Sequence, residues 1–416
     1  MSAGAGAYRR RLSPSERFDF LTCRDFPNLF ATTARVHGPC SVEDVQAALE
    51  ATFRRHPVLR SRIRSRPFPF LPELTTHGVA APALRVVDDA GEDDWIHAVE
   101  TELQQPFPDE AGPLVRFVLL RRERGFDLVV VSSHVISDGM SHVYLIRDIL
   151  TQLADPAAPV RLQESPPGWN LLAGRSGPHS GPRLGTHRPA GFHRIGPATE
   201  PFTVRAWIWD EPKSSALVRR CRAEGTTVHA ALATALLRAL AQLEEGTPVR
   251  RLGSPVSLRD RLPSRYREGF GCYVGPCAVV TTDVSAEPDF WAMARTFKES
   301  LTERSNPRIV RAAEWVLRAL YRAPAPWVRR LIRHWLADEY DAWITNLTRL
   351  PVPVRYGGFR LEAVHLAVNT GGPRRRVIGV AEVGGRICFT AASSSGPLLD
   401  KAFERMTADL TLEVPW

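Results

Sequence analysis

Strand-like and helix-like apolar periodicities alternate on both sides of one stretch, residues 155–200, where eight prolines and seven glycines leave little periodicity. Interleaved periods of two and 3.6 residues call for sheets covered by helices; they exclude a helix bundle and an all-β sandwich. The predicted class is therefore α+β. The stretch reads as a crossover, dividing residues 1–175 from 201–416 with a connection over 176–200. In the first half, residues 29–36 read as a strand. Ser41 can cap a helix whose apolar face is Val45, Ala48, Leu49 and Phe53, closed by Pro57. Residues 114–122 and 126–133 read as strands around Arg124-Gly125, followed by a helix with Val143, Ile146, Ile149, Leu150 and Leu153 inward. In the second half, Thr227 can cap a helix over 228–243. Strands are predicted at 202–209, 249–257, 276–282, 342–347, 359–368, 377–382 and 386–391, the last two joined at Gly384-Gly385. A helix carrying Leu398, Leu399, Phe403, Met406 and Leu410 ends the pattern.

Composition narrows the function. Hydrophobic residues make up 44% and charged residues 24% of 416, which excludes a disordered chain, a collagen and a small disulfide scaffold. The net charge of +9 and pI near 9.6 favour anionic partners: a phosphate-bearing cofactor, an acidic carrier protein, a membrane surface or nucleic acid. No nucleic-acid-binding motif accompanies the charge, so that partner is set aside. Only Lys213, Lys298 and Lys401 are lysines, so the charge is carried by arginine throughout. The first residues lack the apolar core of a signal peptide, and no apolar run approaches a membrane span. The six cysteines form no CxxC pair and read as reduced, buried thiols of a cytoplasmic protein. No metal set is evident. Cys272 and Cys277 lack a second pair, and His134 and His142 stand eight residues apart, His142 reading as a surface histidine. His56, at a helix end, reads as a structural cation suited to the dipole, and Glu92, Asp93 and Asp94 as a solvated helix start.

The sharpest local feature is VVVSSHVISDGMS at residues 129–141. An apolar strand runs into Ser133 and His134, then Asp138 and Gly139 open a helix. A rigid strand end can fix an imidazole that titrates near neutral pH, which suits a general base. A lone histidine there is equally a satisfied structural residue, and the residues alone leave both readings open.

SHVISDG resembles the HHxxxDG motif of the chloramphenicol acetyltransferase-like superfamily. That group holds nonribosomal peptide condensation domains, polyketide-associated acyltransferases and wax ester synthases. LSPSERFDF from Leu12, EATFRRHPVLRSRI from Glu50, TTVHAALATALLRAL from Thr226, PVSLRDRL from Pro255 and WITNL from Trp343 fall in the family's order, across residues 12–410. The resemblance implies two acetyltransferase-like subdomains packed as a pseudo-dimer around a central tunnel, in a monomer. It implies His134 as general base, Asp138 as a structural residue held by Arg259, and Gly139 as the glycine of the motif. Ser133 replaces the family's first histidine, and Ser133 and Asn346 would line the tunnel. The implied activity is transfer of an acyl group from a coenzyme A or acyl-carrier-protein thioester to a hydroxyl of a polyketide, sugar or lipid. The thioester is a co-substrate; no cofactor is tightly bound. An amide-forming free-standing condensation enzyme, or a catalytically silent carrier-binding scaffold, fits the same fold.

Two other segments were weighed. GFGCYVG at 269–275 is glycine-rich but follows no strand, which argues against a dinucleotide loop. Residues 308–336 read as two basic amphipathic helices broken at Pro324 and Pro326, with Trp315, Leu317, Leu320, Trp327, Leu331, Ile332 and Trp335 as the apolar set. That pattern is either a core face with a solvated face, or a docking face for an acidic carrier, a lipid acceptor or, transiently, a membrane surface.

Overall fold

The computed structural model describes residues 8–23, 27–65, 71–108, 110–164, 201–244, 249–275, 278–321, 323, 325–336, 340–370, 376–394 and 396–413. Two six-stranded sheets and the helices over them make an α+β fold. The first sheet runs, in order, Arg355–Tyr356, Phe359–Asn369, Leu29–His37, Gly125–Ser133, Val115–Arg122 and Leu84–Val87. All its pairs are antiparallel except the last, which is parallel. The second runs Ala278–Asp283, Val249–Ser254, Ala342–Arg349, Arg376–Val383, Arg386–Ser393 and Thr203–Trp209. Its two central pairs are parallel and its outer ones antiparallel.

Gly125–Ser133 is buried along its whole length because both faces of its sheet are covered. Phe126, Leu128 and Val130 pack with Val45 and Leu49 of the helix Val42–Arg55 and Val143 and Ile146 of the helix Gly139–Ala154. Val129 and Val131 turn the other way, to Trp95 and Val99 of the helix Asp94–Leu103 and to Phe202 and Val204. The caps read from sequence are made: Ser41 Oγ accepts from Asp44 N at 3.0 Å and Thr227 Oγ1 from Ala230 N at 3.1 Å. Satisfying a first-turn N–H is worth about 1 kcal/mol. In the second half the helix Val228–Leu243 is the buried centre, packed between the helices Phe290–Arg304 and Gly396–Glu413.

The expected connection at 176–200 lies outside the described residues. On either side of it, the halves do not keep their sheets apart. Residues 355–356 and 359–369 leave the second half and extend the first sheet, Phe359–Asn369 pairing with Leu29–His37. This returning strand then packs against Arg376–Val383 and Arg386–Ser393 of the second sheet. His365 Nδ1 lies 3.2 Å from Thr390 Oγ1, and Leu366 N donates to the same oxygen at 3.3 Å. Gly379 makes the approach possible, since a Cβ there would stand 2.3 Å from Leu366 O.

Two local expectations change. His56 is structural, as expected, but not a ready cation: it is buried, its Nε2 is 2.8 Å from Asp148 Oδ2, and burial lowers its pKa against the pull of Asp148. Glu92, Asp93 and Asp94 are exposed at the start of the helix Asp94–Leu103 as expected, and Glu92 also pairs with Arg35. Residues 307–336 form the helices Pro307–Leu320 and Ala325–Leu336; Pro326 does not break the second but sits in its first turn, where proline lacks no needed donor. Leu320, Tyr321 and Val328 pack on Phe18 and Leu21 of the helix Pro14–Cys23. Trp315 and Trp327 are each 73% exposed, so these two are not part of a core face. The side chains of Ile332 and Trp335 lie outside the described residues. Among the described residues, no helix is long and apolar enough to cross a membrane.

Gly379→Ala should force the returning strand off the second sheet, at a cost of about 1–3 kcal/mol. A urea midpoint lowered with unchanged slope would register it; an unchanged midpoint would show that the sheets do not depend on this approach.

Candidate active site

The site is built where Gly125–Ser133 ends. Edge pairing fixes the strand, and the turn after it is fastened by its own backbone: Ile136 N donates to Ser133 O at 3.1 Å, and His134 N to Asn28 O at 3.0 Å. His134 is thereby presented at the strand end, with Phe30 edge-on at 5.8 Å. Burial lowers the His134 pKa below the ordinary imidazole value; the carbonyls of His134 and Ser137 and the charge of Asp138 pull the other way. The ring is therefore neutral at neutral pH. Its proton has carbonyl acceptors, which leaves the second nitrogen with a lone pair.

Asp138 caps the helix Gly139–Ala154, its Oδ1 accepting from Ser141 N at 2.7 Å. The same oxygen takes Arg259 Nη2 at 2.7 Å, and Oδ2 takes Tyr273 N at 2.8 Å. Burial by itself would raise this carboxyl. Arg259 and the two backbone donors outweigh it and hold Asp138 below the usual carboxylate range. The Nη groups of Arg259 also reach the carbonyls of Arg267 at 2.6 Å and Gly269 at 3.1 Å, and Ser141 Oγ at 2.7 Å. Ser141 Oγ in turn donates to Gly271 O at 2.6 Å. The expected Asp138–Arg259 contact is thus present as a buried ion pair that ties the motif of the first half to the loop 255–275 of the second.

The remaining predicted positions sort by contact. Ser133 is buried, its Oγ accepting weakly from Val135 N at 3.4 Å. Gly139 is wedged between Leu347 and Phe30, each of which would stand 3.2 Å from a Cβ there. Asn346 holds an irregularity in its own strand, Oδ1 accepting from Thr348 N at 2.7 Å; its neighbour Leu347 is the one that reaches the motif. His142 is not a surface residue. It is fully buried, with Nε2 2.7 Å from Ser132 Oγ, Nδ1 3.0 Å from Thr32 Oγ1 and the Phe270 ring stacked on it, and burial drives its pKa to about 3.

Two residues of the site carried no sequence signal of their own. Cys272 Sγ lies 3.9 Å from His134 Nδ1, and Asp19, from the helix Pro14–Cys23, has Oδ2 4.0 Å from the same sulfur. Asn28 Nδ2 donates to Asp19 Oδ1 at 3.3 Å. Burial and nearby Glu16 raise the Asp19 carboxyl to about 8, and burial keeps the Cys272 thiol well above its ordinary value. The glycine-rich run 269–275 was the available clue. It is neither a dinucleotide loop nor a spacer, but the wall that supplies carbonyls to Arg259, an N–H to Asp138 and the Cys272 thiol.

A neutral imidazole thus stands beside a fully engaged carboxylate, where the end of the strand Gly125–Ser133 meets the loop 255–275. The family model described as "Condensation domain" matches residues 29–155. A second, described as "Phthiocerol/phthiodiolone dimycocerosyl transferase C-terminus", matches residues 199–374. Among solved structures, polyketide synthase associated protein 5 from Mycobacterium tuberculosis is similar with TM-score 0.68 at 17% identity, over 97% of this chain and 98% of that one. A trichothecene 15-O-acetyltransferase from Fusarium sporotrichioides gives 0.71 at 13%, over 100% and 97%. The starter condensation domain of rhizomide synthetase, solved with C8-CoA, gives 0.65 at 14%, over 97% and 94%. At these identities the likeness speaks to the fold. A cyclosporin synthetase from Tolypocladium inflatum is 32% identical over 123 residues, 29% of this chain; the chain spans 1% and 3% of the length of two curated relatives it matches. Two family models, a condensation domain and an acyltransferase C-terminus, thus match the two halves of the chain, and the solved structures share its chloramphenicol acetyltransferase-like fold.

Arg259→Met removes one partner of a buried pair and should cost about 3–5 kcal/mol of stability, because it strands the Asp138 charge. Asp138→Asn should also destabilise, and the double variant should cost clearly less than the sum. Additive losses in denaturant titrations would mean that the two side chains act independently.

Proposed function

We propose that the chain is an acyltransferase that moves an acyl group from a coenzyme A or carrier-protein thioester to an acceptor hydroxyl, with His134 as general base. The carrying observation is the division of labour at the motif. Both Asp138 oxygens are engaged by Arg259, Ser141 and Tyr273, while the neutral His134 ring keeps a nitrogen for a substrate proton.

In this reading the acceptor O–H gives its proton to the free nitrogen of His134 as its oxygen attacks the thioester carbonyl. The tetrahedral oxyanion collapses, the C–S bond breaks, and the leaving thiolate takes the proton from the imidazolium. Ester and free thiol leave with the ring neutral again. Ser141 N is committed to Asp138, so the N–H groups of Gly139 and Met140 at the same helix start are our candidates to face the oxyanion. The dimycocerosyl transferase family match and the O-acetyltransferase of like fold favour a hydroxyl acceptor. The condensation match over the motif half favours the second reading, an amine acceptor and an amide product, which the same base serves. The structure solved with C8-CoA supports an acyl-CoA donor, and the chain's +9 charge suits the phosphates of that donor or an acidic carrier.

Incubation with acyl-CoA or acyl-carrier thioesters and a panel of alcohols and amines, read by thiol release and product mass, should give acceptor-dependent release. Retained carrier binding with no release would leave a scaffold. His134→Ala should slow transfer by on the order of 10²–10⁴ with little loss of stability. Ser133→Ala should stay within about tenfold, or ~1.4 kcal/mol of barrier. Equal damage from both would bring the serine into the chemistry. Because burial lowers the His134 pKa and the ring must be neutral to accept, kcat/KM should fall only on acidification below the ordinary histidine range. That limb should vanish in His134→Ala. Donor KM should rise with salt; salt-independent kinetics would remove charge from donor binding.

A further inference from the structure

We propose that Asp19, His134 and Cys272 form a binding site for one zinc-like divalent ion behind the transfer site, and that its occupancy silences His134. The binding half stands on geometry alone; the silencing half rests on His134 being the base. One oxygen of Asp19, His134 Nδ1 and Cys272 Sγ all lie within 4.8 Å of one another. The two contacts through sulfur are 3.9 and 4.0 Å. Tetrahedral zinc, with bonds of about 2.0–2.3 Å, spaces such ligands about 3.3–3.6 Å apart. Closing the two sulfur edges by a few tenths of an ångström, and bringing the Asp19 oxygen to the same spacing from Nδ1, would complete three ligands.

The three come from separate, well-held segments: the helix Pro14–Cys23, the strand end and the loop 269–275. Each has a brace. Asn28 Nδ2 donates to Asp19 Oδ1, leaving Oδ2 toward the sulfur. The His134 backbone is pinned by Asn28 O. Cys272 lies between Gly271, whose N and O both bond Ser141 Oγ, and Tyr273, whose N bonds Asp138. Such outer bonds orient ligands and sustain affinity. A thiolate with an imidazole selects a borderline-soft ion over magnesium or calcium. One carboxylate and one thiolate cancel the charge of a divalent ion, so the bound complex is neutral, as a buried site requires.

Binding would displace both the thiol proton and the Asp19 carboxyl proton to solvent and form metal bonds to Sγ, Nδ1 and an Asp19 oxygen. A neutral imidazole has one proton. With Nδ1 on the metal, that proton must sit on Nε2, and no lone pair remains to take a proton from an acceptor. The ion would therefore inhibit from the Nδ1 side without taking the acceptor's place.

Tag-free, chelator-treated, reduced protein is titrated with zinc against a chromophoric indicator. We expect one zinc per chain, with affinity weakened more than about tenfold in Cys272→Ala and in Asp19→Asn, a loss at least on the scale of removing an outer-shell brace. Cobalt should give a near-ultraviolet thiolate charge-transfer band in the wild type, absent in Cys272→Ala, with Cys272→Ser as the second variant should alanine not fold. No stoichiometric binding by the folded wild type, or binding and band unchanged without Cys272, overturns the site. A chain that transfers no acyl group yet binds zinc through Cys272 sustains the site and removes the transfer reading. Zinc that binds through Cys272 but leaves acyl transfer unslowed overturns the silencing.

Discussion

The buried pair of Asp138 and Arg259 is the constraint on which the rest of the site depends. By itself such a pair adds little net stability, because desolvating both charges consumes most of their attraction. Its effect is geometric. Asp138 is fixed by being the helix cap, and Arg259 by carbonyls of its own loop at Arg267 and Gly269. Each charge therefore arrives already oriented, and the 2.7 Å contact locks the loop 255–275 to the start of the helix Gly139–Ala154. What the loop 255–275 places beside His134 follows from that lock: Tyr273 N on the carboxylate, Ser141 on Gly271, and Cys272 between them.

The second element that positions the site is the strand Phe359–Asn369, which leaves its own half to complete the other half's sheet. It pairs with Leu29–His37, which in turn pairs with Gly125–Ser133, the strand that carries His134. From the neighbouring sheet, Leu347 closes on Gly139. The motif is thus held from both sides by the second half of the chain, through a charge pair at one loop and apolar contact at another. Two independent domains joined by a tether would not supply this.

Much of this was legible in the sequence, where the signal was local. Caps at Ser41 and Thr227, the Gly384-Gly385 hairpin and the buried helix over 228–243 follow from side-chain chemistry a few residues apart. Strand identity at 359–369 was legible, but its sheet was not: an alternating apolar pattern fits either sheet, and only the approach at Gly379 decides which backbone it meets. The His134 and Asp138 positions were visible because strand, turn and cap are contiguous, and Arg259 only through the family resemblance. Asp19 and Cys272 were invisible because the fold alone brings them to His134, from 115 and 138 residues away. His142 was misread because a histidine between polar neighbours looks solvated until Ser132, Thr32 and Phe270 are seen to enclose it.

In the proposed transfer, the electrostatics of the enclosed site favour a histidine over its acidic neighbours as the proton acceptor. Three ionisable groups meet there, and burial acts on all of them in one sense, toward the uncharged form. For Asp19 and Cys272 the uncharged form holds its proton and cannot act as a base. For His134 the uncharged form is the base. The one charge that survives burial, on Asp138, is neutralised by Arg259 and its backbone donors, yet it still raises the His134 pKa against desolvation. A ring depressed too far would accept a proton poorly, and one left at its solvent value would be partly charged near pH 6.5. The Asp138–Arg259 pair thus fixes the loop, and its carboxylate acts against burial at the His134 imidazole.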